Sequence, residues 1–325
     1  MTELMVAGEG GSEILLPVVQ EGIEWSTERR SVPGKLTFQV KKDPLHPLEE
    51  GAAVQLRVDG RKVFFGFIFT LKTDKEDMIA VTAYDQLRYL KNKDTYVYEN
   101  MTASRLIQMI ADDFQLNTGE IRDTGFVIGS GVEDNTTLFD MIEKALDQTL
   151  TNSGEMFVLY DDFGSLTLKN ISDMYVRNNR DEYLVISAAS GENFEYTSSI
   201  DSRTYNRIKL VYENEDGKRD VYITQHGENC NRWGVLQYFD TLSGEENGQA
   251  KADTLLSLYN RKTKNLRIQN VMGDVRVRAG SLVAVDLDLG DMRVQSFMLV
   301  EQAKHVFKLN EHFMDLTLRG GDFVV

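Results

Sequence analysis

The chain of 325 residues has a single cysteine, Cys230, so it can form no disulfide within itself. That excludes the disulfide-stapled scaffolds of small secreted proteins and leads us to expect assembly in a reducing cytoplasm. Only four prolines occur and no tract is of low complexity, which argues against long disordered segments. No apolar run approaches the roughly 18–20 residues that cross a bilayer. The longest, Val63 to Phe69 around Gly66, has the length of a strand. Met1-Thr2-Glu3-Leu4 leads into no apolar stretch, so no secretory signal is expected. Basic residues are outnumbered by acidic ones, 36 to 51, for a formal charge of −15. A protein that coats nucleic acid would need a basic face to displace counterions, so stable nucleic-acid binding is not expected.

What is present is an ordinary globular composition, 42% hydrophobic and 27% charged, in a length that suits two or three domains. The negative charge is unevenly placed. Residues 1–95 carry 13 basic and 15 acidic side chains, residues 96–190 carry 6 and 16, and residues 191–325 carry 17 and 20. The middle third therefore holds −10 of the −15. A segment that differs this much from its flanks reads as a solvent-facing insertion.

Hydrophobic period supports the same division. Leu36, Phe38 and Val40 alternate as a strand, as do Val54, Leu56 and Val58. Asp59-Gly60 is a hairpin signal, because both positions tolerate positive φ. Beyond it Val63, Phe65, Phe67 and Phe69 resume the period of two and are expected to fill a core. Phe64 then points the other way, onto a covered second face or a contact. Met78 to Tyr84 is a further strand. Near Asn100 the period becomes helical. Ala103, Leu106, Ile107, Ile110 and Ala111 share one face, with Thr102 or Asn100 as cap. Leu138, Met141, Ile142 and Ala145 share another, opened by Thr137 and Asp140 as a variant capping box. A hairpin follows around Asp161-Asp162-Phe163-Gly164. From about Phe194 the pattern returns to strands, with a hairpin at Asp216-Gly217 and one helix at about 245–263, which Glu245 and Glu246 open. Val275/Val277, Val283 to Leu289, Ser296 to Val300, His305 to Leu309 and Met314 to Leu318 then read as an antiparallel meander, turned at Gly280, Gly290-Asp291 and Asn310-Glu311. The expected fold class is α+β, mainly β. Two barrel-like modules, 1–95 and 192–325, flank an acidic α+β insertion over 96–191 that projects from them.

Catalytic constellations are sparse. His305 and His312 would approach each other if they shared a hairpin, but two histidines without a third ligand make a poor metal site. His226 and Cys230 lie four apart in a Gly/Asn-rich segment, with no sign of an activated thiolate. Gly8-Glu9-Gly10-Gly11 and Gly129-Ser130-Gly131 lack the partners of a phosphate-binding loop and read as plain loops. Asp112-Asp113, Glu133-Asp134 and Asp161-Asp162 could be paired carboxylates, but they read as solvated acids at a helix face, a helix start and a turn. No catalytic, cofactor or metal residue is assigned. The candidate interface residues are Phe64, Trp233, Asp112, Asp113, Asp161 and Asp162.

Several stretches carry a family resemblance in order along nearly the whole chain. They are Trp25 to Val40 (WSTERRSVPGKLTFQV), Val54 to Phe69 (VQLRVDGRKVFFGFIF), Val81 to Leu90 (VTAYDQLRYL), Trp233 to Gln237 (WGVLQ) and Gly280 to Leu318, which closes on HVFKLNEHFMDLTL. The chain resembles the XkdQ-like baseplate hub proteins of contractile phage tails, defective prophages and R-type bacteriocins of Gram-positive bacteria. The resemblance implies a fold similar to phage late-control proteins and the base of VgrG spikes. It implies a homotrimer in which two related barrel domains per chain form a ring of six, a symmetry adaptor between a six-fold tail tube and a three-fold spike. The implied partners are the tube or its initiator protein, the central spike, other baseplate proteins and the tape-measure protein. The implied location is the cytoplasm during assembly, then the virion or tail-like particle. It implies no membrane insertion, no cofactor and no enzyme activity. The alternative is a tail-associated hydrolase that degrades cell wall.

Overall fold

The computed structural model describes residues 1–11, 13–178, 180–187, 191–201, 203–213, 218–242, 247–288, 293–309 and 311–320. The turns expected at Asp216-Gly217, Gly290-Asp291 and Asn310 lie outside the described residues, as do Leu289 and the helix-opening Glu245 and Glu246.

The chain begins with seven strands, β1 (Thr2–Ala7), β2 (Ile14–Leu15), β3 (Ile23–Glu28), β4 (Lys35–Lys41), β5 (Ala53–Val58), β6 (Arg61–Thr73) and β7 (Met78–Tyr84). Asp59 and Gly60 both hold positive φ in the β5–β6 turn, as the residue pair requires. The segment after β2 crosses toward β4, where Gln20 N donates to Gln39 O at 2.7 Å and Lys41 N donates to Val18 O at 3.2 Å. The sheet thus curls around one core, which contains Trp25, Leu36, Phe38, Val54 and Leu56.

The aromatic run on β6 is phased differently from the expectation. Leu56 pairs with Phe64 but Arg57 with Lys62, so Val63 is an extra residue in the strand. A one-residue bulge moves every later side chain to the opposite face. Phe64 and Ile68, 3% and 2% exposed, therefore enter the core. Phe65, Phe67 and Phe69 stand half-buried on the outer face.

The insertion comprises β8 (Lys93–Thr102), α1 (Ala103–Asp113), β9 (Thr118–Ile121), β10 (Val127–Thr137), α2 (Leu138–Ser153), β11 (Phe157–Asp161) and β12 (Leu166–Asn170). Both expected caps form. Thr102 Oγ1 accepts from Arg105 N at 3.3 Å. Thr137 Oγ1 accepts from Asp140 N at 3.1 Å and donates to Asp140 Oδ2 at 2.6 Å. The apolar faces of α1 and α2 meet in one core with Leu87, Leu90, Tyr96, Tyr98 and Leu168. Gly129-Ser130-Gly131 is not a loop but part of β10, opposite β8. Gly131 pairs with Tyr98, whose ring lies over its backbone where a side chain would stand.

After β13 (Val185–Ser187) and β14 (Asn193–Ser199) comes a small unit of β15 (Arg207–Glu213), β16 (Arg219–Gln225), α3 (Gly227–Trp233), β17 (Gln237–Thr241) and α4 (Gly248–Tyr259). Its sheet runs β16-β15-β17, with α4 packed on one face around Ile208, Leu210, Ala252 and Leu255. The chain ends with β18 (Thr263–Met272), β19 (Leu282–Asp288), β20 (Arg293–Phe307) and β21 (His312–Gly320). Val275 and Val277 are not a strand. They lie in the turn-rich stretch before β19, where Val277 is fully buried.

The divisions therefore differ from those drawn by composition. The fold is mainly β with helices, as expected, but one sheet runs β14-β18-β21-β20-β3-β4-β7-β6-β5-β1-β2 through both β regions. The insertion's core begins at Leu87. Val176 and Ile186 belong to the second β core, and β13 pairs with β19. The small unit stands as an excursion between β14 and β18. Charge counts could not reveal these boundaries, because cores and strand pairs follow apolar contacts instead.

Candidate functional site

The two β regions meet on one strand. Residues Arg293 to Leu299 of β20 pair with β19, whereas Gln302 to Phe307 pair with β3. Between these stretches lies a bulge, since Val300 pairs with Leu318 and Gln302 with Thr317. The bulged residue is Glu301. Its carboxylate accepts from Arg29 Nε at 2.7 Å and from Arg319 Nε at 2.6 Å, and its carbonyl accepts from Arg29 N at 3.0 Å. Burial alone would raise the Glu301 pKa, but the two guanidinium groups outweigh it and hold it below the usual carboxylate range. Glu301 thus clamps β3 and β21 to the strand that both regions share.

A second junction joins the insertion to the β regions, and the AYDQLRYL stretch builds it. Asp85 caps the 3-10 turn over Gln86–Lys91, with Oδ1 accepting from Leu87 N at 3.1 Å and Oδ2 from Gly34 N at 2.9 Å. Leu87 and Leu90 point into the insertion core. Gln86 donates to Asp161 Oδ2 at 3.1 Å, and Arg88 and Tyr89 pack on Phe69. Arg278, from the turn before β19, lies 4.0 Å over the Tyr160 ring. The residue is half-buried and its Nε is shut off from solvent. Burial, then repulsion from Asp161, raises the Asp85 pKa well above normal. Burial likewise raises Asp161, and bonds from Gly164 and Gln86 offset it in part. The insertion does not project freely. Phe163 rests against Phe65, and Gly280 of the second region packs on Val158.

The expected approach of His305 and His312 occurs. His305 Nε2 donates to Val277 O at 2.9 Å, because a carbonyl can only accept. Its Nδ1 then accepts from His312 Nε2 at 2.9 Å. His305 stacks on Trp25 with ring centres 4.8 Å apart. Burial, aided by the neighbouring imidazole, lowers the His305 pKa to about 3, and burial lowers His312 to about 4. Among the described residues no group of three His, Cys, Asp or Glu could hold a metal ion. His305 belongs to the core, and the half-buried His312 borders it.

The other singled-out residues scatter. Phe64 is a core residue, which removes it from the surface. Trp233 is half-buried at the end of α3. Asp112 and Asp113 are exposed at the end of α1, where Asp113 accepts from Tyr96 Oη at 2.7 Å. Asp162 is exposed, but Asp161 is 5% exposed and is no solvated turn acid. Its Oδ1 accepts from Gly164 N at 2.7 Å inside the junction. His226 Nδ1 accepts from Asn229 N to cap α3, and the Cys230 thiol faces Asn206 O at 3.6 Å. Sequence reasoning missed Glu301, Arg29, Arg319 and Arg278. It could have found Asp85, an N-cap residue type placed between a strand and a helical turn.

This architecture is shared with phage tail proteins. The 43 kDa tail protein of prophage MuSo2 from Shewanella oneidensis superposes with a TM-score of 0.67 at 12% identity, covering 97% of this chain and 98% of that one. Prophage tail protein gp18 from Listeria monocytogenes EGD-e gives 0.63 at 13% identity, covering 98% and 94%. At these identities the likeness establishes the fold. In sequence, the chain is 29% identical over 310 residues to the phage-like element PBSX protein XkdQ of Bacillus subtilis strain 168, covering 93% of this chain and 92% of that one. The YQBQ-like family matches residues 23–319, and the chain belongs to it.

Proposed function

We propose that the protein is a structural baseplate hub of a contractile tail or tail-like particle, and that it works as a homotrimer. The observation that carries this reading is the shared strand β20, which sets two β regions in one fixed relation within each chain. Three such chains around an axis would offer six β regions to a six-fold tube and three-fold symmetry to a central spike. The near-neutral charge of these regions suits close packing of copies, and the acidic insertion suits an outward position. Asp112, Asp113 and Asp162 are then docking residues for basic patches on surrounding baseplate proteins. The chain assembles in the bacterial cytoplasm and ends in the particle. The reading assigns it no reaction.

Light scattering tests the assembly. A trimer of the 37.0 kDa chain is expected, alone or with spike protein present. A stable monomer or dimer under both conditions overturns the reading. Neutralising Asp112, Asp113 and Asp162 together should change the salt dependence of baseplate assembly. An unchanged profile removes these three acids from the docking surface.

A further inference from the structure

A cleft of about 610 Å3 opens where α2, the β17–α4 side of the small unit, and the ends of β3 and β21 converge. We propose that it is a docking site for an extended acidic peptide segment bearing aliphatic side chains, supplied by another protein.

The charge of the walls is the first argument. Among the described residues, six basic side chains line the cleft, Arg29, Arg30, Arg203, Arg261, Lys262 and Arg319, against the two acids Glu143 and Asp147. Arg30 already holds both acids, at 2.9 Å and 2.6 Å. Arg29 and Arg319 converge on the single carboxylate of Glu301. A cationic concavity in a chain of net charge −15 is the reverse of what composition would scatter there. The crowding is felt locally. Burial lowers the Arg319 pKa, and Arg29 and Arg203 push it the same way against Glu301. An arriving carboxylate would relieve that repulsion.

The rest of the wall selects the kind of anion. Leu146 and Leu150 of α2 and Leu258 of α4 line the cleft half-buried, beside Met156 and Leu159. A bare polyanion would leave this aliphatic surface wet, whereas a peptide alternating acids with leucine-like side chains would cover it. Tyr205, Tyr238 and Tyr259 pack on one another with ring centres 5.4 to 5.9 Å apart. Rings engaged in this way are poor platforms for stacked bases, so single-stranded nucleic acid fits less well. Several hundred cubic ångströms is also the scale of a built pocket that takes a few residues.

The test is fluorescence anisotropy on the full chain with a labelled Asp-Leu-Glu-Asp-Leu-Glu peptide at low and physiological salt. Binding that weakens with salt is expected. Arg203→Glu and Lys262→Glu, both at exposed positions, should each weaken it about tenfold with unchanged circular dichroism. An Asp-Gly-Glu-Asp-Gly-Glu probe of equal charge should also bind about tenfold more weakly, because it cannot cover the aliphatic wall. Lack of binding overturns the proposal, as does indifference to both charge reversals. Equal binding of the glycine probe means surface charge alone and overturns it. Equal binding of an oligothymidine means a polyanion site and does the same. Residues 321–325, Gly-Asp-Phe-Val-Val, follow the lining residue Gly320 in sequence. If a chain ending at Gly320 binds the leucine probe far more tightly, the cleft serves this chain's own segment after Gly320 and the proposal falls. Unchanged affinity supports it.

Discussion

Asp85 Oδ2 accepts the amide hydrogen of Gly34 at 2.9 Å, and a Cβ on residue 34 would collide with that same oxygen. The bond joins the β3–β4 turn to the first turn of the insertion. Gly34→Ala must therefore displace a buried carboxylate that also caps Leu87. We expect a loss of about 2 kcal/mol in urea unfolding, from overpacking and a weakened buried hydrogen bond. A loss below about 0.5 kcal/mol would show that the junction yields freely.

Glu301→Ala should cost more. It leaves Arg29 and Arg319, 10% and 27% exposed, facing each other without their shared carboxylate. A loss of about 3 kcal/mol is expected, at the lower end for a broken buried pair because two of the groups keep some solvent. Glu301→Gln should recover part of it, since the amide oxygen still accepts one guanidinium bond. Equal losses in the two variants would mean that the carboxylate's charge alone holds the contact and that neither packing nor a neutral hydrogen bond contributes.

Acid should destabilise the fold before carboxylates titrate. In the unfolded chain His305 and His312 take up protons near pH 6.5, but in the fold they do so only near about 3 and about 4. The unfolded state thus binds more protons in between. Stability is complete above pH 6.5 and falls as pH drops toward 4, by up to about 1.4 kcal/mol per pH unit for each histidine. His312→Gln keeps a donor for His305 Nδ1 and should roughly halve the slope between pH 6 and 4. A slope identical to wild type would exclude His312 as a source.

Gly131→Ala tests the ribbon of β8 and β10. The Tyr98 ring occupies the place of the new methyl group, and Tyr98 is only 4% exposed. We expect about 1–3 kcal/mol of destabilisation and loss of protection in amide exchange over residues 127–132. Gly129→Ala, which meets nothing within 4 Å, is the matched control and should cost far less.

Sequence alone determined the local elements. Strand alternation at Leu36 to Val40 and Val54 to Val58, the Asp59-Gly60 turn and the caps at Thr102 and Thr137 depend on near neighbours, so spacing revealed them. The family resemblance was legible for the same reason, as short motifs in a constant order. Tertiary structure decided the rest. The bulge at Val63 reversed the aromatic run, and a bulge has no signature in a chain whose residues on both sides are apolar. Asp161 read as a solvated acid because nothing near it in sequence is Gln86 or Arg278. Whether two β regions are separate barrels or one sheet depends on β20 pairing with β3, about 280 residues away along the chain. Such pairing is set by backbone hydrogen bonds and burial between distant segments, and local spacing carries no record of it.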